Sequence, residues 1–250
     1  MGGAAGAAPR GYPAMRLSGL IAATALVTAT LAIPAGAAAP VRRAAPAARD
    51  WTRTVVATPE GGFRMGNPAA RVKLIEYGSL TCGHCAAFSR AGFAALQLRF
   101  VRGGKVSYEF RNYILNGLDI AASLVARCGG AGRFFPVAER LYATQPQWMA
   151  RVTGLTAAQK AQMGALPENQ RLGRLAEFAG LVSVGAQYGI PAAQSKRCLA
   201  DPSALDRLGK MAQAAEALGV DSTPTFFVNG ASIGNQTWPT LEPILSEQAR

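Results

Sequence analysis

The clearest alternation of apolar and polar positions begins near residue 72 and predicts a strand, a helix and a second strand. Val72 to Tyr77 form an apolar run typical of a buried strand, and Val106 to Tyr113 alternate as a second strand. Two strands connected through one helix are expected to lie parallel in the same sheet. The apolar positions of the intervening helix recur at helical spacing: Phe88, Ala91, Ala95 and Leu98.

Helical periodicity then dominates from about residue 116 to 219, and a second set of strands follows it. Phe63 to Met65 is a candidate edge strand before the first run, and Thr225 to Val228 is a strand after the helical region. Asn229-Gly230 predicts a tight hairpin from that strand to the next, and a final helix is expected from Pro239 onward. The chain is therefore expected to be an α/β protein with a long helical insertion.

The N-terminal region has the pattern of an export signal. Arg10 and Arg16 precede an apolar run of 14 residues from Leu20 to Ile33, and Ala35-Gly36-Ala37 is a small-x-small cleavage pattern. We predict a signal peptide over residues 1–37, with Met15 as an alternative start. An uncleaved anchor is the other interpretation, although a membrane-spanning helix needs about 20 apolar residues.

Charge and composition change little in this interpretation. The chain has 26 Lys and Arg against 14 Asp and Glu, a formal charge of +12. These basic residues are scattered and form no basic-aromatic module, so nucleic-acid binding is not expected. Residues 38–62, rich in Ala, Pro and Arg, are predicted to be a solvated linker with a weak contact to an anionic membrane surface. Residues 63–250 are predicted to form one domain.

The strongest chemical signal is Cys82-Gly83-His84-Cys85, which lies where the first strand leads into the helix. Free backbone N–H groups and the helix dipole at this point stabilise a Cys82 thiolate, and a protonated His84 would add to the effect. Cys82 is thus the candidate nucleophile and Cys85 the resolving thiol. A zinc site is the alternative, but no second CxxC is present, and Ala86 breaks the haem-attachment pattern. Neither a metal nor a cofactor is expected.

Together, the export signal, the CxxC, the helical insertion and Thr223-Pro224 resemble the DsbA-like branch of thioredoxin-fold oxidoreductases. The resemblance covers about Phe63 to the C-terminus. It implies a thioredoxin-like fold, with a helical insertion at about 116–219 between the second parallel strand and the strand that follows a cis Pro224. It also implies that Thr223 and Pro224 receive an extended substrate segment.

The same resemblance implies a proton acceptor. Glu76, six residues before Cys82, matches the family's buried carboxylate beneath the second cysteine, where burial would raise its pKa. An ordinary, partly exposed strand glutamate is the alternative. Gly83-His84 resembles the dipeptide of eukaryotic protein disulfide isomerases, whereas the best-known DsbA motif has Pro-His. We nevertheless predict an oxidant, because thiolate stabilisation favours the dithiol form.

Two cysteines remain, Cys128 and Cys198, both in the helical region. In an exported protein they are expected to form a structural disulfide, and two free buried thiols are the alternative.

These features predict a periplasmic or secreted enzyme that introduces disulfides into unfolded or extended polypeptides and is recycled by a membrane redox partner. A periplasmic reductase or isomerase is one alternative. A non-catalytic thioredoxin-fold module that binds a metal or a polypeptide is the other.

Overall fold

The computed structural model describes residues 49–250, apart from the side chains of residues 168 and 169. The predicted signal peptide, its cleavage near Ala37, and linker residues 38–48 lie outside the described residues. Within residues 49–250, no helix has the length and apolar character that a membrane crossing requires.

The centre of the fold is a six-stranded mixed sheet with the strand order β1-β2-β4-β3-β5-β6. The β3 and β4 strands are parallel, as predicted, and every other neighbouring pair is antiparallel. The central strand β3 is flanked by β4 and β5, and its Glu76 lies opposite Phe110 on one side and Phe226 on the other. The strands are β1 Val55–Ala57, β2 Phe63–Gly66, β3 Val72–Gly78, β4 Val106–Asn112, β5 Thr225–Val228 and β6 Ala231–Gly234.

The predicted linker extends too far along the chain and needs correction. Val55–Ala57 pair with β2 as the edge strand of the sheet, with Val55 opposite Met65. A short 3-10 turn, Trp51–Arg53, precedes this strand, and the Asp50 side chain caps it by accepting a hydrogen bond from Thr52 N at 3.0 Å. Sheet pairing therefore begins before residue 63, although the composition resembles that of a linker.

The predicted helical insertion is confirmed between β4 and β5. The first helix, α1, begins at Gly83 after β3 and continues as wider π-helical turns at Ser89–Phe93 and Leu96–Val101. The last helix, α10, follows the β5–β6 hairpin, which turns at Asn229 and Gly230 with positive φ angles of 50° and 86°. The helices are α1 Gly83–Phe88, α2 Gly117–Cys128, α3 Ala131–Ala143, α4 Gln145–Thr153, α5 Ala157–Gly164, α6 Glu168–Ala179, α7 Leu181–Gln187, α8 Ala192–Leu199, α9 Pro202–Ala217 and α10 Trp238–Gln248.

The core joins the sheet to the insertion. Phe63 of β2 stacks on Phe134 of α3 with ring centroids 4.3 Å apart, and Phe110 of β4 lies against the same ring at 5.5 Å. Burial of large aromatic rings is the main stabilising contribution at such contacts. The insertion thus shares the hydrophobic core of the sheet, and its first helices are held beside the C-terminal end of β3, where the CxxC begins.

Candidate active site

Cys82 lies at the N-cap of α1, four residues after the end of β3. Its backbone is extended, with φ −78° and ψ 124°, and its carbonyl accepts the first helical bond from Ala86 N at 3.1 Å. The first backbone N–H groups of a helix have no partner within the helix, so those of residues 84 and 85 are free to act on the sulfur.

The two thiols of the motif differ in exposure. Both are free; Cys82 is half-buried at the surface, and Cys85 is completely buried. One turn of helix therefore presents the first sulfur to an incoming group and keeps the second below it. This is the arrangement that the sequence predicted for an attacking and a resolving thiol.

The two thiols also differ in pKa: the more exposed Cys82 has the lower pKa and the buried Cys85 the higher one. The hydrogen bond from Cys85 is the largest cause that lowers the pKa of Cys82 to about 5, and it outweighs the opposing effect of burial. Thr223 and the backbone N–H groups of Cys85 and His84 lower this pKa further. Burial raises the pKa of Cys85 well above its usual range, and the Cys82 hydrogen bond and the charge of Glu76 raise it further. Near neutral pH, Cys82 is a thiolate and Cys85 a thiol.

The Thr223–Pro224 segment lies directly beside Cys82. The peptide bond between these two residues is cis, and the Cys82 sulfur lies 3.3 Å from the Thr223 carbonyl oxygen. The Pro224 carbonyl accepts from Asn235 Nδ2 at 2.7 Å, which ties this turn to the segment after β6. Both Thr223 and Pro224 are buried.

A cleft of about 650 Å³ opens next to this turn. Its walls come from α1, the Thr223–Pro224 turn and the start of α10, and most of its surface is apolar. His84 is exposed at this cleft, and its contribution to the pKa of Cys82 is made by its backbone N–H. A Cβ on Gly83 would meet no atom within 4 Å, so the motif has free space at this position. The residues that line this cleft include His84, Phe88, Thr223, Pro224 and Trp238.

Glu76 is a buried carboxyl, with 1% of its surface exposed. Burial raises its pKa to about 8, although Tyr108 Oη donates a hydrogen bond to Glu76 Oε2 at 2.6 Å and opposes the rise. The charges of Glu139 and Cys82 raise this pKa further. Glu76 and Cys85 therefore interact within one buried cluster, where both hold protons near neutral pH.

Several residues of this site carry no signal in the sequence. Glu139 on α3 accepts a hydrogen bond from Ser89 Oγ at 2.7 Å, and burial raises its pKa to about 7. Asp119 on α2 accepts hydrogen bonds from Leu80 N at 2.9 Å and Leu115 N at 3.0 Å, and burial raises its pKa to about 6. These acids come from the insertion, so only the tertiary structure brings them to the CxxC. Tyr108, which donates to Glu76, could be placed in a strand from the alternation of β4, but the sequence did not indicate its role in the site.

The remaining two cysteines lie within the insertion. Cys128, the last residue of α2, is disulfide-bonded to Cys198 of α8, with Cα atoms 5.8 Å apart and a separation of 70 positions in sequence. Gln194 Nε2 donates to the Cys128 carbonyl at 2.9 Å. Within residues 49–250, no group of three or more His, Cys, Asp or Glu side chains is arranged to hold a metal ion.

The family model described as thioredoxin matches residues 58–247. A curated Rickettsia felis protein, named provisionally as a protein-disulfide oxidoreductase, is 28% identical over 176 residues, 68% of this chain and 54% of that protein. A similarly named Rickettsia prowazekii protein is 26% identical over 186 residues, 74% of this chain and 60% of that protein. The chain thus spans between about half and three fifths of the length of these relatives.

Two solved structures have a similar fold. The crystal structure of a protein-disulfide isomerase from Novosphingobium aromaticivorans has a TM-score of 0.70 and 26% identity, covering 76% of this chain and 98% of that one. Wolbachia pipientis α-DsbA1 has a TM-score of 0.57 and 21% identity, covering 78% of this chain and 93% of that one. At this identity, the second likeness concerns the fold alone. The predicted thioredoxin-like fold is confirmed.

Proposed function

Because this chain belongs to the thioredoxin family, we propose that it is a thiol:disulfide oxidoreductase that transfers its Cys82–Cys85 disulfide to exported polypeptides. The observation that carries the proposal is that the pKa values of the two thiols are shifted in opposite directions. Cys82 is half-buried and has a pKa lowered to about 5 by the Cys85 hydrogen bond, whereas burial raises the pKa of Cys85. A disulfide whose dithiol form contains such a stabilised thiolate is an oxidant.

In the forward reaction, a substrate thiolate attacks the Cys82 sulfur of the disulfide. The Cys82–Cys85 bond breaks, a bond between Cys82 and the substrate forms, and the electron pair leaves on Cys85. Cys85 takes a proton, because its buried thiolate is unfavourable, and Glu76 is the neighbouring acid that donates it. A second substrate thiolate then attacks the substrate sulfur of the mixed disulfide and releases Cys82 as a thiolate. The substrate dithiol loses two electrons, and the CxxC gains them.

The Thr223–Pro224 turn is proposed to hold the substrate segment during this attack. Its contact with the Cys82 sulfur, together with the largely apolar cleft beside it, supports a site for an extended polypeptide. Thiols in such segments are more accessible than those of folded proteins. The expected clients are therefore unfolded or extended chains.

The first experiment tests for turnover and for its direction. Wild type with an oxidised CxxC should oxidise a reduced two-cysteine peptide, and Cys82→Ser should lose all measurable activity. Cys85→Ser has no disulfide to give, but with the oxidised peptide it should accumulate the mixed disulfide, because Cys82 displaces one peptide thiolate and no Cys85 remains to resolve the bond. Equilibration with glutathione should give a potential well above that of thioredoxin, about −270 mV. A thioredoxin-like potential would contradict the oxidising direction. A Cys82→Ser protein that keeps its cellular function would instead favour a non-catalytic binding module.

A second candidate direction, isomerisation, is favoured by the likeness to the Novosphingobium protein-disulfide isomerase. Incubation with a substrate that carries scrambled disulfides distinguishes the two. An isomerase restores native pairing when the CxxC is supplied reduced, whereas an oxidase acts on the fully reduced substrate when the CxxC is supplied oxidised.

Export, and recycling at a membrane, form the last part of the proposal. The signal pattern of residues 1–37 supports a periplasmic or secreted location, and the Arg-rich segment that follows supports a weak membrane-surface contact. A membrane redox partner would accept the two electrons of the reduced CxxC. N-terminal sequencing of the exported protein should find a mature chain that starts near residue 38, and retention of residues 1–37 would contradict the cleavage.

A further inference from the structure

Polar side chains of the insertion hold the short segment that leads into Cys82. Residues 79–82 have no regular secondary structure before α1, yet three side chains from separate helices bond to their backbone. Tyr142 Oη of α3 donates to the Ser79 carbonyl at 3.1 Å, and the Leu80 N–H donates to Asp119 of α2 at 2.9 Å. Gln145, the first residue of α4, supplies the third set of contacts.

Gln145 makes two hydrogen bonds with one amide group. Its Nε2 donates to the Leu80 carbonyl at 2.8 Å and to the Cys82 carbonyl at 3.0 Å. The residue is buried, with 6% of its surface exposed. A primary amide has two N–H donors, so both are used on carbonyls two residues apart. The distance between these carbonyls is thereby fixed by a side chain 63 residues further along the chain.

This contact reaches the nucleophile itself. The Cys82 carbonyl that accepts from Gln145 also accepts the Ala86 N–H at 3.1 Å, so one oxygen joins α4 to the first turn of α1. The backbone N–H groups of residues 84 and 85 face the Cys82 sulfur only while this carbonyl and this turn keep their places.

We propose that Gln145 is a positioning residue, which holds the carbonyls of Leu80 and Cys82 so that the first turn of α1 stays directed at the Cys82 sulfur. This inference rests on the proposed function, because the position of the first turn matters only if the CxxC is the reactive site. Gln145 would then make the insertion one of the parts of the molecule that set the reactivity of Cys82. Without the amide, the Leu80 carbonyl loses its donor in a buried place, and the segment must shift to regain one. The N–H groups at the start of α1 then lose their alignment with the sulfur.

The test measures Cys82 directly, through the pH dependence of its alkylation by iodoacetamide. Gln145→Leu keeps the approximate size of the side chain and removes both donors. We expect the pKa of Cys82 to rise by about one unit or more, and the equilibrium with glutathione to shift about tenfold toward the Cys82–Cys85 disulfide, which is then a weaker oxidant. The matched control is Gln147→Leu on the same helix, where the side chain is exposed, and it should behave as wild type.

Gln145→Asn provides a second, milder variant in case the leucine protein does not fold. Its shorter amide is able to reach at most one of the two carbonyls, so an intermediate rise in the Cys82 pKa is expected. Folded variants with a wild-type Cys82 pKa would overturn the proposal, even if they were less stable. The alkylation measurement needs no substrate protein, so it is independent of the activity assay. If wild type were inactive, the proposed function would be contradicted. If the Cys82 pKa still rose in Gln145→Leu, the positioning role would nevertheless be supported.

Discussion

The two cysteine pairs of this chain differ in almost every physical respect. Cys82 and Cys85 lie on one turn of α1, with unequal exposure and oppositely shifted pKa values, and they contact Thr223 and the buried Glu76 cluster. Cys128 and Cys198 join two helices across 70 residues of sequence. The same side-chain chemistry therefore has two uses. A pair that exchanges electrons needs surroundings that separate the proton affinities of its sulfurs, whereas a pair that restrains the chain needs only a long loop and suitable geometry.

Removal of the Cys128–Cys198 pair should have the largest effect, and it tests whether this pair has only a structural role. In the chain-entropy model, closing a loop of this length stabilises the folded state by about 4 kcal/mol. Replacing both Cys128 and Cys198 with alanine should lower the free energy of unfolding by about this amount, as measured by urea denaturation. The pH dependence of Cys82 alkylation in the folded variant should stay close to that of wild type.

A matched series in a Cys82→Ser, Cys85→Ser background isolates the contribution of the second pair, because no other thiol is then available for exchange. Unchanged stability would show that the bridge restrains nothing. In the Cys128→Ala, Cys198→Ala variant that keeps its CxxC, a large change in Cys82 reactivity at full folding would show that the two pairs are coupled, and the division of roles drawn above would be wrong.

Glu76→Gln tests the surroundings of the first pair, namely the raised pKa of the carboxyl beside Cys85. The folded-state pKa of Glu76 is raised to about 8, so the folded chain keeps a proton that the unfolded chain releases above its ordinary value of 4.5. The stabilising contribution of this group is complete below pH 4.5 and is lost progressively as the pH rises toward 8. Glutamine stays neutral at every pH. At pH 7 the variant should therefore be more stable than wild type by about 3 kcal/mol, and the difference should vanish near pH 4.

Urea denaturation at several pH values measures this difference, with Glu247→Gln at an exposed position of α10 as the control. Glu76→Gln should also slow the donation of a proton to Cys85 and therefore the first attack, in which the Cys82–Cys85 bond breaks. Equal stability of Glu76→Gln and wild type at pH 7 would contradict the raised pKa. A variant that loses stability at all pH values would indicate that the carboxyl is held as an ion.

The parts of the site that could be predicted are those that lie close together in sequence or match a family pattern. The CxxC follows a strand and begins a helix, so its place could be inferred from local periodicity, and the resemblance supplied Glu76, Thr223 and Pro224. Gln145, Glu139 and Asp119 could not be found in this way, because helices of the insertion bring them to the CxxC through packing alone. The edge strand β1 was missed for a different reason. Its three residues follow an Ala, Pro and Arg-rich stretch, and their strand structure depends on pairing with β2.

The smallest expected effect concerns His84, whose imidazole the sequence suggested as a stabiliser of the thiolate. In the structure, its backbone N–H lowers the pKa of Cys82, after the larger effects of Cys85 and Thr223, and its side chain is exposed. His84→Ala keeps this N–H and replaces the imidazole with a good helix former. The pKa of Cys82 should therefore rise by less than about one unit, and less than in Gln145→Leu, when both are measured by pH-dependent alkylation. A rise to the free value of about 8.5 would mean that the imidazole, and not the main chain, holds the thiolate.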